Sequence, residues 1–135
     1  MLIARLRKYP LSILVILTII YLSFFKPPTD LRMAKIPNID KIVHIIMYMG
    51  LSGMLWLEFL WGHRKERAPM WHAWIGAFLC PVLFSGIVEI LQEYCTTYRG
   101  GSWLDLLANT VGATIAGLLF YYVVRPYIET KFKTK

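Results

Sequence analysis

The chain has little from which to build a soluble enzyme. Only 17% of its 135 residues are charged, and the 8 acids are outnumbered by 15 lysines and arginines. Its two cysteines, Cys80 and Cys95, are too few for a disulfide framework. If helical, they stand ~22 Å apart, and they lack the spacing of a zinc site, so both read as free thiols. There is no Walker loop, no G-x-S-x-G elbow, no H-E-x-x-H and no C-x-x-C, which removes the chemistries that a short motif can announce. No internal repeat is present. The longest polar stretch, Lys26 to Lys41, holds Pro27, Pro28 and Pro37, which oppose a continuous helix, so no soluble domain is left over.

What is present is apolar. The chain is 57% hydrophobic, with a mean hydropathy of +0.51, the composition of a membrane domain. We expect an all-α integral membrane protein: one domain over 1–135, a four-helix transmembrane bundle with spans at about 9–25, 42–61, 70–91 and 103–124. The first span follows Arg5, Arg7 and Lys8 like a signal peptide. However, Ser23-Phe24-Phe25-Lys26-Pro27-Pro28 offers no small-x-small cleavage site, so it is expected to remain as an anchor. Trp56, Trp61, Trp71, Trp74, Trp103, Tyr121 and Tyr122 lie mostly near span ends, as an interfacial belt requires. The net charge of +7 belongs to residues flanking apolar spans. It therefore speaks for orientation and anionic lipid rather than for nucleic acid.

Three basic residues precede the first span, three (Arg64, Lys65, Arg67) lie between the second and third, and four follow the last. These ten oppose five on the other side: Lys26, Arg32, Lys35, Lys41 and Arg99. The positive-inside rule then places both termini in the cytoplasm.

The polar residues gather at span ends that this topology puts on the outer side. Asp40, His44 and Tyr48 share one face of the second helix, Glu89, Gln92 and Glu93 one face of the third, and Asp105, Asn109 and Gly112 one face of the fourth. Ionisable groups at a membrane boundary are costly, so their convergence marks a site by default. Plainer readings exist for several of them. Asn38 or Asp40 caps a helix, and His44 hydrogen-bonds a neighbouring span. Ser102-x-x-Asp105 fits a capping box. Gly112-x-x-x-Ala116 and Ala113-x-x-x-Gly117 permit close helix contact. Pro81 is expected to kink the third span. Glu58, at the inner end of its span, is within reach of Arg64 or water, while His63 and His72 read as interfacial. Glu89, after a long uncharged run, is the residue least easily given a plain reading.

Asp40-Lys41-x-x-His44 opening a span, then Glu89-x-x-Gln92, Arg99 and Asp105-x-x-x-Asn109-x-x-Gly112, resemble the VanZ-like family of small bacterial membrane proteins across all four spans. The resemblance implies a multi-pass protein of the bacterial cytoplasmic membrane with a cell-envelope role, the family's name deriving from a protein linked to teicoplanin resistance. It implies no particular reaction.

Two function classes remain open. In the first, the outward site binds an anionic envelope lipid or lipid-linked cell-wall precursor. Lys41, Arg99 and protonated His44 would meet the headgroup, with Gln92 and Asn109 orienting it. In the second, a small intramembrane hydrolase or transferase uses His44 or Glu89 as general base, with a divalent ion held by Asp40, Glu89, Glu93 or Asp105. His44, Glu89 and Asp105 are the leading metal candidates. The four acids of the cluster against the cations Lys41 and Arg99 favour a metal ion or internal ion pairs over a bare phosphate pocket. A third reading is interhelical hydrogen bonding with no ligand at all. Membrane lipids are the expected partners, and nucleic acid is not.

Overall fold

The structure, a computed structural model, describes residues 1–24, 39–65, 68–95 and 102–133. Among these the chain is helical and holds no strand. The helices are α1 (Leu2–Leu6), α2 (Pro10–Phe24), α3 (Ile39–Gly62), α4 (Met70–Trp74), α5 (Cys80–Cys95), α6 (Trp103–Leu119) and α7 (Arg125–Lys133). A π-helical turn at Ile75–Leu79 makes α4 and α5 continuous, and another at Phe120–Val124 joins α6 to α7.

Three continuous helices are long and apolar enough to cross a membrane: Ile39–Gly62 with 24 residues, Met70–Cys95 with 26 and Trp103–Phe132 with 30. α2 has 15 residues, or ~22 Å, short of a ~30 Å hydrocarbon core. Among the described residues the all-α membrane architecture is thus present with three helices of spanning length, and the fourth expected span, α2, is shorter there. The long helices also outrun the expected spans, starting at Ile39 and ending at Cys95 and beyond Val124. Hydropathy marks only their apolar part, whereas the helices continue through Asp40-Lys41, Gln92-Glu93 and Arg125.

Side chains from neighbouring helices hold α2 at both ends. Pro10 opens it, where a missing N–H costs nothing, and no residue of its own caps it. Instead the Glu58 carboxylate of α3 accepts hydrogen bonds from Leu11 N (2.7 Å), Ser12 N (3.2 Å) and Ser12 Oγ (2.6 Å). A carboxylate on free N–H groups also complements the helix dipole. At the other end Gln92 of α5 donates from Nε2 to the Ser23 carbonyl at 3.0 Å. The expected outlet for Glu58, Arg64, is occupied otherwise: its guanidinium donates to Trp61 O at 2.7 Å and lies over the Trp61 ring.

Pro81 is accommodated by an identifiable device. Lacking an N–H, it cannot serve the Ala77 carbonyl four residues back. That carbonyl lies in the π-helical turn and accepts from the buried Ser52 hydroxyl of α3. Such turns re-space a helix around a lost bond.

The central seam runs between α3 and α6, the most extensive helix pairing. Lipid supplies no hydrophobic force between helices, so close backbone approach must supply the contact. Gly112, Ala113, Ala116 and Gly117 are all buried there. A Cβ on Gly112 would collide with the Ile45 carbonyl oxygen, and one on Gly117 would press on the Trp74 ring at 2.8 Å. Trp56 and Trp74, edge to face at 5.0 Å, fill the end of the seam towards α7. Successive long helices run antiparallel. The starts of α3 and α6 and the ends of α2 and α5 therefore meet at one end of the bundle.

Candidate functional site

At that end, His44 enters from the second turn of α3, Glu89 from the last two turns of α5, and Asp105 and Asn109 from the first two turns of α6. His44 is 4% exposed, Glu89 6% and Asn109 1%, so most of the cluster lies inside the protein. The seam explains the convergence: Gly112 brings α6 onto the backbone of α3 at Ile45 and Met49, which places Asn109 and Asp105, one and two turns earlier, beside His44.

His44 Nδ1 is 2.9 Å from Asn109 Oδ1. An amide oxygen can only accept, so Nδ1 carries the proton. The ring's other nitrogen, Nε2, is 3.8 Å from Asp105 Oδ2, and Nδ1 is 4.0 Å from Glu89 Oε1. The backbone N–H of Ser102 donates to Glu89 Oε2 at 3.1 Å. Lys41 Nζ lies 3.8 Å from Asp105 Oδ1 and 3.3 Å from Asp40. Asp105 Oδ1 and Asn109 Nδ2 are buried and make no hydrogen bond among the described residues. His44, Glu89 and Asp105 each offer one donor atom, and the three atoms lie within 4.8 Å of one another. An imidazole with two carboxylates at this spacing can hold a divalent ion, share a proton or activate water.

The expected site residues divide accordingly. His44, Glu89, Asp105, Asn109 and Lys41 come together. Asp40 remains exposed and pairs with Lys41. Gln92 is buried with its amide on Ser23, so part of its chemistry serves α2. Arg99 and Asn38 lie outside the described residues. The capping box does not form: Ser102 is the N-cap of α6 without a side-chain cap bond. Asp105 instead lies 3.8 Å from both Lys41 Nζ and His44 Nε2 of α3.

Sequence reasoning missed the Ser102 N–H, a backbone donor that no pattern of side chains reveals. It also missed a cavity of about 400 Å³ between the ends of α5 and α6, lined by Gly86, Glu89, Ile90, Glu93, Trp103 and Leu106 among others. The available signal was Gly86, one turn before Glu89 on the same face. The cavity is half open, its walls are mainly apolar, and Glu89 connects it to the buried cluster. Tyr48 stands one turn further along α3 from His44. Its hydroxyl is buried within the field of Glu89 and has no hydrogen-bond partner among the described residues.

No curated protein and no solved structure matches this chain. A protein-family model described as VanZ/LLP1 does match, over residues 5–125. With its apolar spans and its polar cluster carried by the residues of that pattern, the chain belongs to the VanZ/LLP1 family.

Proposed function

We propose that this protein binds an anionic envelope lipid, or a lipid-linked envelope precursor, with the headgroup at the cluster of Lys41, His44, Glu89, Asp105 and Asn109. One observation carries the reading: the buried polar cluster adjoins a half-open, apolar-walled cavity through Glu89. A ligand that fits both needs a charged head and a greasy body. Tyr94 and Trp103 at the mouth are highly exposed aromatics, the residue types that settle at the headgroup level. The basic residues at the opposite end support an outward-facing site in the bacterial cytoplasmic membrane, by the positive-inside rule. A link to glycopeptide (teicoplanin) resistance is the envelope phenotype this reading anticipates, through sequestration or presentation of such a lipid.

A second reading, a hydrolase or transferase acting on the same headgroup, has His44 in its favour. Its ring is held by Asn109 beside two carboxylates, as a general base must be.

The cavity supplies the test. A Cβ on Gly86 would meet only Leu106, at 4.0 Å, so alanine is tolerated there and a large side chain fills the space. Gently purified wild type should retain a phosphate-bearing lipid by native mass spectrometry. Gly86→Ala should retain it, and Gly86→Phe should lose it while remaining folded. Equal lipid retention in wild type and Gly86→Phe would refute the reading. A headgroup product released by wild type but not by His44→Gln would select the enzymatic version.

A further inference from the structure

We propose that His44, Glu89 and Asp105 form a binding site for a divalent transition ion of the Zn²⁺, Co²⁺ and Mn²⁺ class, which receives the phosphate of the lipid headgroup. This rests on the headgroup reading for its ligand, but the ion site stands on its own geometry.

Three observations converge. First, three donors arrive from three separate helices within 4.8 Å of one another. Around an ion with bonds of ~2.1 Å, tetrahedral donors are ~3.4 Å apart, so closing the site shortens the donor separations by up to ~1.4 Å. Second, the imidazole is already oriented. With Nδ1–H donating to Asn109 Oδ1 at 2.9 Å, Nε2 is the nitrogen left to coordinate; it faces Asp105 Oδ2 at 3.8 Å, while Glu89 Oε1, 4.0 Å from Nδ1, must swing towards Nε2 to join them. A ligating histidine whose other nitrogen is fixed by an amide or carboxylate is the usual supporting arrangement. A neutral ring there points a lone pair at a carboxylate, and only a proton or a cation between them relieves that repulsion. Third, Asn109 is 1% exposed, and its Nδ2, on the same amide that holds His44, is buried without a hydrogen bond among the described residues. It is a donor left over beside the cluster, available to a headgroup oxygen.

The donor set also chooses the ion. Ca²⁺ asks for six to eight oxygens and Mg²⁺ for octahedral oxygen and water. One nitrogen with two carboxylates suits Zn²⁺, Co²⁺ or Mn²⁺ and leaves positions open for the headgroup. The ion converts an acidic cluster, which alone would repel phosphate, into one that attracts it, with Lys41 3.8 Å from Asp105 as a further positive group.

The test uses the full chain in nanodiscs, with Cys80→Ser and Cys95→Ser to remove thiol binding. After chelator stripping it is titrated with Co²⁺ and followed by visible absorption, and with Zn²⁺ followed by elemental analysis. The expected result is one ion per chain with the absorption of nitrogen-ligated, low-coordinate Co²⁺. His44→Gln and Asp105→Asn should each lose it, while a His63→Ala/His72→Ala double variant keeps it. Asn109→Leu should weaken it by ~10–100-fold. Thermal melting without metal shows which variants are folded, so if one of the two ligand variants fails to fold, the other decides. No uptake at one ion per chain, or uptake that survives in both ligand variants, overturns the inference. Lipid retention measured with and without chelator separates the two readings. Lipid held by protein that never takes up Co²⁺ refutes the ion site alone. Ion uptake without any lipid refutes the headgroup reading alone.

Discussion

Replacing Gly112 by alanine sets two effects of known size against each other. Within a helix, alanine is favoured over glycine by ~1 kcal/mol. In the α3–α6 seam, however, the new methyl would collide with the Ile45 carbonyl oxygen and come within 3.0 Å of the Met49 nitrogen. Both are backbone atoms of a hydrogen-bonded helix, so no rotamer change relieves the overlap. The helices must part by ~1 Å to restore contacts near 3.5 Å, and overpacking of this kind costs ~1–3 kcal/mol. The steric term wins, for a net loss of up to ~2 kcal/mol. The site suffers more than the fold. Asn109 is one turn before Gly112 and His44 is next to Ile45, so the same separation would stretch their 2.9 Å hydrogen bond beyond useful length. Gly50 provides the matched control, since a Cβ there meets nothing within 4 Å. Thermal unfolding in detergent, with ligand uptake measured in parallel, should show Gly112→Ala less stable and defective in uptake. Gly50→Ala should be at least as stable as wild type and fully active. A Gly112→Ala protein matching wild type in both measurements would refute the close seam and the argument built on it.

The remaining predictions concern the two ends of the bundle. Glu58→Ala should cost ~1–2 kcal/mol, the loss of an N-terminal cap, and expose the α1–α2 segment to protease; unchanged melting and digestion would mean that α2 is held by packing alone. For topology, an impermeant maleimide on intact cells should label Cys95 and spare Cys80, which faces outward from the bundle in the middle of the Met70–Cys95 helix. Labelling of Cys95 only after the inner membrane is opened would reverse the orientation and place the site on the cytoplasmic side.

How much was legible in the sequence depended on whether the cause was local. The four-residue spacing of Gly112, Ala113, Ala116 and Gly117 announced a close helix contact, because small residues on one helical face have few other uses in a membrane, though not that α3 is the partner. His44, Glu89 and Asp105 announced themselves by cost, as ionisable groups at the edges of apolar runs. The roles of Glu58 and Gln92 were invisible. Each serves a backbone group of α2, tens of residues away, and only the tertiary arrangement names that partner. Ser102-x-x-Asp105 failed for the complementary reason: the motif is local, but Asp105 faces Lys41 and His44 of α3, which no local pattern reveals. Pro81 foretold a disturbance in its helix. It did not foretell that the released carbonyl at Ala77 would find Ser52.

Interhelical adhesion is a costly use of the residues in this cluster. An interhelical hydrogen bond in a membrane is worth ~0.6 kcal/mol on average, whereas an aspartate near the middle of a span costs ~2.5–3.5 kcal/mol, and less towards the boundary. A clasp can be made far more cheaply, and this chain does so: Ser52 bridges the Ala77 carbonyl to α3 with a single hydroxyl, and Glu58 accepts three hydrogen bonds from α2 that offset its charge. Asp105 has no such return. One of its oxygens lies 3.8 Å from Lys41 and the other 3.8 Å from His44, both beyond hydrogen-bond range. Asn109 likewise gives its oxygen to His44 and leaves its amide nitrogen buried without a hydrogen bond among the described residues. Groups that stabilise a fold are drawn in until their hydrogen bonds are made. Groups set slightly apart, with donor and acceptor capacity in reserve, leave room for the ligand proposed above to come between them.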